Sequence, residues 1–123
     1  MASKVTFDTV RRLALSMENV EEGTSYGTPA FRANGVLFIR MWEDMETMVV
    51  RTDFEQRDEM IATDPGAYYL TDHYRNYPWI LVRLSRIYPD LLSDLLCGAW
   101  RLASKERASK RPRTSRKPRG RSR

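Results

Sequence analysis

The 123-residue sequence predicts an α+β fold, a single domain whose antiparallel sheet carries about three helices on one face. Three observations lead there. Apolar residues recur at helical spacing in three separate stretches, with alternating runs between them. Asn34-Gly35 lies between two such runs, a dipeptide suited to the positive φ angles of a two-residue hairpin turn. The strands also follow one another through short turns, which favours antiparallel pairing.

The first helix is expected over residues 7–18, where Phe7, Val10, Leu13, Ala14 and Met17 form one apolar stripe. Thr6 is its expected N-cap, and Asp8 suits the positive end of the helix dipole. Arg11, Arg12, Ser16 and Glu18 fall off the stripe and mark a surface helix. Strands follow at Glu21–Tyr26 and Ala30–Arg32, separated by Gly27-Thr28-Pro29. Val36–Trp42 is the strongest strand. Strict alternation puts Leu37, Ile39 and Met41 on one face and Phe38, Arg40 and Trp42 on the other. Glu43-Asp44 turns the chain into Thr47–Arg51.

A short helix is expected over Asp53–Ala62, with Asp53 as N-cap, Gln56 in the capping-box position and Phe54, Met60 and Ile61 as apolar members. Asp64-Pro65-Gly66 ends it. Tyr68–Tyr74 and Trp79–Leu84 read as two more strands, joined through Arg75-Asn76-Tyr77-Pro78. Pro89, favourable at a first helical position, opens the last helix, which runs to about residue 104. Its stripe is Leu91, Leu92, Leu95, Leu96, Ala99, Leu102 and Ala103. No aromatic or branched aliphatic residue follows Leu102. Residues 105–123 cannot bury enough surface to offset their ordering entropy, so a disordered tail is expected behind a domain of residues 1–104.

Several stretches together resemble the MmcQ/YjbR family of small bacterial proteins. They are Ser25-Tyr26-Gly27-Thr28-Pro29-Ala30-Phe31-Arg32, Asn34-Gly35 followed by Phe38, and Asp64-Pro65. After them come Tyr69 with Asp72-His73-Tyr74-Arg75, Trp79 with Val82 and Leu84, and the Leu95–Leu102 helix. The ordered set spans roughly residues 5–103. It implies a curved antiparallel sheet, often likened to a double-wing DNA-binding arrangement, and the family is commonly labelled DNA-binding on that analogy. It implies no catalytic constellation. Where the family often carries Lys after the hairpin glycine, this chain has Val36.

The net charge of +5 divides unevenly. Residues 1–104 hold 11 basic and 15 acidic side chains, a net −4, whereas residues 105–123 hold 10 basic side chains and only Glu106, a net +9. The basic set is Lys105, Arg107, Lys110, Arg111, Arg113, Arg116, Lys117, Arg119, Arg121 and Arg123, recurring every one to three residues as a polyanion partner requires. From Arg101 onward Arg outnumbers Lys eight to three, which suits bidentate phosphate contacts. The expected function is therefore non-enzymatic nucleic-acid association, electrostatic and low in sequence specificity. The resemblance favours DNA over RNA. Arg32 and Arg75, near turns with Asn34 and Asn76, are expected to assist from the body.

A second reading, from a different class, is a protein-interaction or small-ligand module. It would use an open sheet face around Phe38, Arg40, Trp42, Arg51, Trp79 and Arg83. Tyr68, Tyr69, Tyr74, Tyr77 and Trp79 offer stacking surfaces, although such residues more often pack strands.

Chemistry has little to build on. His73 is the only histidine, and Asp72 beside it on a strand would face the opposite way. One His and one Cys make no metal set, and no cofactor is expected. Glu21/Glu22 and Glu43/Asp44 are adjacent pairs that diverge rather than share a proton. The helical step puts Cys97 away from the apolar stripe. A single cysteine excludes an internal disulfide and suits a reducing compartment. The longest apolar runs, Val36–Ile39 and Trp79–Val82, are far too short for a membrane span, and the N-terminus lacks a secretory pattern. The cytoplasm is the expected location.

Overall fold

A six-stranded antiparallel sheet in the order β1-β2-β3-β4-β6-β5 organises the protein. The computed structural model describes residues 5–110, with side chains through Glu106. The elements are α1 (Phe7–Leu15), β1 (Val20–Ser25), β2 (Thr28–Ala33), β3 (Val36–Met41), β4 (Thr47–Arg51), α2 (Phe54–Thr63), β5 (Tyr68–Tyr69), β6 (Trp79–Arg83) and α3 (Pro89–Lys110). Single 3-10 turns at Asp72–Tyr74 and Leu84–Arg86 flank β6. The expected fold class is the one found: one domain, a curved antiparallel sheet and three α-helices.

Local chemistry explains most boundaries. The Thr6 N–H donates to Thr9 Oγ1 at 3.2 Å at the start of α1. That helix stops at Leu15 rather than 18, because Ser16 Oγ donates to Leu13 O at 2.6 Å and Asn19 turns left-handed at φ 59°. Asp53 caps α2 as expected, its Oδ1 accepting from the Gln56 N–H at 2.7 Å. Both two-residue hairpins place a non-glycine and then a glycine at positive φ: Tyr26 (55°) with Gly27 (81°), and Asn34 (54°) with Gly35 (84°). These are the signs a twisted hairpin requires. The Gly27-Thr28-Pro29 break is thus a hairpin turn, with β2 starting at Thr28.

In the β3–β4 turn, Asp44 accepts from the Glu46 N–H (2.8 Å), the Thr47 N–H (3.0 Å) and the Thr47 hydroxyl (3.1 Å). Partial burial by itself would raise its pKa, but these hydrogen bonds outweigh it and hold the carboxyl below the ordinary 3.8. The stability Asp44 contributes is therefore full above about pH 4 and declines as the pH falls from there through the lowered value. Asp44→Ala is expected to cost about 1 kcal/mol at neutral pH, and Asp44→Asn to flatten the acid limb. Urea midpoints at about pH 2.5 and pH 6 would read both effects.

Three departures from strict sequence patterning matter for the site. Phe31 pairs with Ile39 but Arg32 pairs with Leu37, so Phe38 is the extra residue of a β-bulge. The bulge exchanges the expected faces of Leu37 and Phe38. Phe38 is buried among the helix-side residues with Ile39 and Met41, while Leu37 lines the opposite face. The Tyr68–Tyr74 strand shrinks to two residues, because Thr71–Tyr74 winds into a 3-10 turn. Finally, α3 continues to Lys110, past the expected end near 104. The Lys105–Lys110 stretch is rich in good helix formers, and Arg51 on β4 pairs with Glu106.

The core lies between the sheet and the helices. Phe31, Phe38, Ile39, Met41, Met48, Val50, Ile80 and Val82 meet Val10 and Ala14 of α1 and Leu92, Leu96, Ala99 and Ala103 of α3. The four α3 residues fall at i, i+4, i+7 and i+11, one helical stripe against β3 and β4. Leu91, expected within that stripe, is 38% exposed at its margin. Met60 and Ile61 of α2 close the far end of the core.

Candidate functional site

The sheet face away from the helices carries a second, smaller apolar cluster built on Val49, Tyr74 and Leu81, flanked by Trp42, Tyr69, Leu70 and Trp79. Strand register puts Arg40, Val49, Leu81 and Tyr69 in one row across four strands. Arg40 is thus delivered by β3 to a floor of apolar side chains, half-buried.

Two hydrogen bonds and two rings fix its guanidinium. Nε donates to the Ser25 carbonyl at 3.3 Å and Nη1 to the Tyr74 hydroxyl at 3.1 Å. The Tyr26 ring centre lies 5.0 Å away and the Trp42 ring 5.6 Å, both within cation–π range. Among the described residues, no carboxylate lies within ion-pairing distance of Arg40. Around it opens a cleft of about 280 Å³. Leu37 and Val49 form its apolar base, Tyr74 and Trp79 its walls, and Tyr26, Tyr77 and His73 its exposed rim.

The rim reaches the cleft from two loops. Tyr26 comes from the β1–β2 hairpin turn. Tyr77 comes from the 75–78 loop, which α2 holds from behind: Arg57, nine-tenths buried, donates through Nη1 to the Arg75 and Tyr77 carbonyls, both at 3.0 Å. His73 stands edge-on to Tyr74, ring centres 4.6 Å apart. Its 3-10 setting replaces the strand expected there, and Asp72 is engaged with Arg75 at 2.7 Å.

The other expected residues have separate settings. Arg32 runs along β1, its Nη1 over Gly23, and no contact among the described residues joins it to Arg75. Asn34 is tied to α3 through Ser104 Oγ at 3.4 Å rather than standing at a free wing tip. Arg83 stacks on Tyr69 at 4.1 Å and donates to the Gly66 carbonyl, while Arg51 is turned to Glu106. Phe38 is withdrawn from the open face by the bulge, and Tyr68 is buried on the helix side. Burial, with the nearby Asp64 carboxylate, pushes the Tyr68 phenol upward in pKa. Cys97 is half-buried beside Met17 and Trp100 rather than facing away from packing.

Of the basic segment, Lys105 is exposed on α3. Arg107 and Lys110 lie on the same helix, but their side chains, and all of Arg111, Arg113, Arg116, Lys117, Arg119, Arg121 and Arg123, fall outside the described residues. No metal-binding group of His, Cys, Asp and Glu occurs among the described residues, and no helix there is long and apolar enough to cross a membrane.

Sequence reasoning missed Tyr26 and Arg57. The signal for Tyr26 was available: an aromatic directly before Gly at a turn position that favours Asn or Gly. Nothing local distinguishes Arg57 from the other charged residues of α2.

Comparison with known proteins places this architecture. The sequence model described as YjbR matches residues 15–102. Uncharacterized proteins Rv2570 of Mycobacterium tuberculosis and Mb2600 of Mycobacterium bovis are each 44% identical to the chain over 41 residues. That match covers 33% of this chain and 32% of theirs, about a third of the relatives' length. The crystal structure of Deinococcus radiodurans protein DR2400, a DUF419 domain, is similar with a TM-score of 0.75 at 20% identity. It covers 94% of this chain and 91% of that one, a likeness of fold.

Proposed function

This chain belongs to the YjbR family, and on that footing we propose that it is a non-enzymatic, nucleic-acid-associated protein of the cytoplasm that holds DNA mainly through its C-terminal basic segment. The observation that carries this reading is the separation of charge, −4 on residues 1–104 against +9 on residues 105–123. A body of that sign has no long-range attraction for phosphate, so attraction falls to Lys105, Arg107, Lys110 and the seven basic residues from Arg111 to Arg123. Because α3 extends to Lys110, the segment begins on a helix packed against the sheet rather than on a slack linker. Arg32 and Arg75 assist from the body. The exposed Arg75–Asp72 pair is worth little in water and can exchange its carboxylate for a phosphate.

The test is a salt titration of duplex DNA binding, comparing the full chain with one ending at Lys110. That shorter chain keeps the Arg51–Glu106 pair and the end of α3. If all seven lost charges contact phosphates, the log–log salt slope becomes shallower by about 6. Equal affinity and slope for both chains would sink the proposal. A parallel titration with duplex RNA decides which polymer is preferred.

A further inference from the structure

We propose that the Arg40 cleft on the open sheet face binds a small planar anion, an aromatic ring bearing a carboxylate or phosphate group. The idea goes beyond nucleic-acid association and does not depend on the basic segment.

Four features of the cleft support it. First, Arg40 is a half-buried cation with no carboxylate partner among the described residues. A partly dehydrated charge of that kind is favoured by an acid partner, and no acid among the described residues supplies one. Second, its guanidinium is already oriented. Nε and Nη1 are committed to Ser25 and Tyr74, which leaves Nη2 for an incoming oxygen, and the Tyr74 hydroxyl that accepts from Arg40 retains its own proton to donate. Third, wall and rim are aromatic: Trp79, Tyr26 and Tyr77 provide faces against which a planar ring stacks.

The fourth concerns Tyr26. Its φ of 55° is a left-handed conformation that bulky side chains disfavour, and it is 86% exposed, so it adds nothing to the core. Asn or Gly would make the better hairpin. An aromatic kept in a strained, exposed position with its ring against Arg40 points to binding rather than to folding. At about 280 Å³ the cleft lies at the small end of ligand sites, which suits a single ring. A long polyanion meets the net negative charge of the body, whereas a compact anion of one ring spans only the cleft.

The test uses the isotope-labelled full chain, followed by NMR at the Trp79 indole N–H and the Arg40 Nε–H. Benzoate and phenyl phosphate are titrated as the ring-plus-acid probes and show which acid group is preferred. Benzyl alcohol supplies the ring alone and inorganic phosphate the anion alone. At least one ring-plus-acid probe should give saturable shifts at both reporters, with each single-feature probe at least tenfold weaker. Arg40→Met should weaken binding at least tenfold. Tyr26→Asn should weaken it severalfold while leaving the melting temperature equal or higher, which a purely structural role for Tyr26 would not give. The proposal is overturned if neither benzoate nor phenyl phosphate saturates the cleft reporters, or if binding survives Arg40→Met unchanged. It is also overturned if only a single-stranded oligonucleotide moves those signals. The duplex salt titration is read separately, so either idea can fail alone.

Discussion

Phe38→Ala is expected to destabilise the protein by about 3–5 kcal/mol, among the largest single-residue effects in the body. Phe38 is fully buried among the residues between sheet and helices, so truncation leaves a cavity that rigid strands on either side cannot collapse. Against a total stability of roughly 5–15 kcal/mol, the loss removes from about a fifth to all of it. Urea denaturation should show the midpoint falling with the slope unchanged. The neighbouring Leu37→Ala is the control, because Leu37 is only half-buried on the opposite face. Simple alternation along β3 would predict the reverse order, with Leu37 the costly position. A larger loss at Leu37 than at Phe38 would therefore refute the bulge.

The second large effect is expected at Arg57, which does not line the cleft. Arg57→Met keeps the stem and removes the guanidinium, so the Arg75 carbonyl loses the donor seen here and the Tyr77 carbonyl keeps only the Trp79 N–H. Hydrogen bonds from a charged donor are worth about 1.5–3 kcal/mol, and a destabilisation of about 2–3 kcal/mol is expected in sum, since water reaches part of the loop. The loop is fixed on its other side by the Thr52 N–H donating to the Pro78 carbonyl at 2.8 Å, which limits the damage to residues 75–77. Faster amide exchange should appear there and at Trp79 before it appears in α3. Because that loop carries Tyr77, benzoate or phenyl phosphate binding in the cleft should weaken as well, by a positioning effect. Unaltered exchange and unaltered stability would show that the loop holds itself.

The two residues illustrate how far a sequence can be read. Asp53 capping α2, Asn34-Gly35 turning a hairpin and the Leu92–Ala103 stripe were all legible, because each depends on neighbours within about four positions. Arg40 was legible as an open-face candidate for the same reason: a charge interrupting an apolar strand. Phe38 was not. Its placement depends on where β2 slips against β3, a long-range choice that nothing within the Val36–Trp42 run records. The Tyr68–Tyr74 run looked like a strand because its aromatics favour strands, yet only two residues found a partner on β6. The helix end at 104 was placed by the last apolar residue, whereas helix propensity and an ion pair to Arg51 carried α3 further.

By itself the sequence determined the fold class, the three helices, the Asn34-Gly35 hairpin turn and the division of a +5 net charge into a −4 body and a +9 segment. All of these follow from local periodicity, turn chemistry or plain counting. Only the tertiary structure decided that Phe38 leaves the face shared by Arg40, Trp42 and Trp79, and that Tyr74 joins it. It also decided that Tyr26 and Tyr77 come to one cleft from hairpin turn and loop some fifty residues apart, and that Arg57 supports one of them from behind. The reason is physical. A side chain's partners across a sheet depend on register, and register is set by the whole core packing at once.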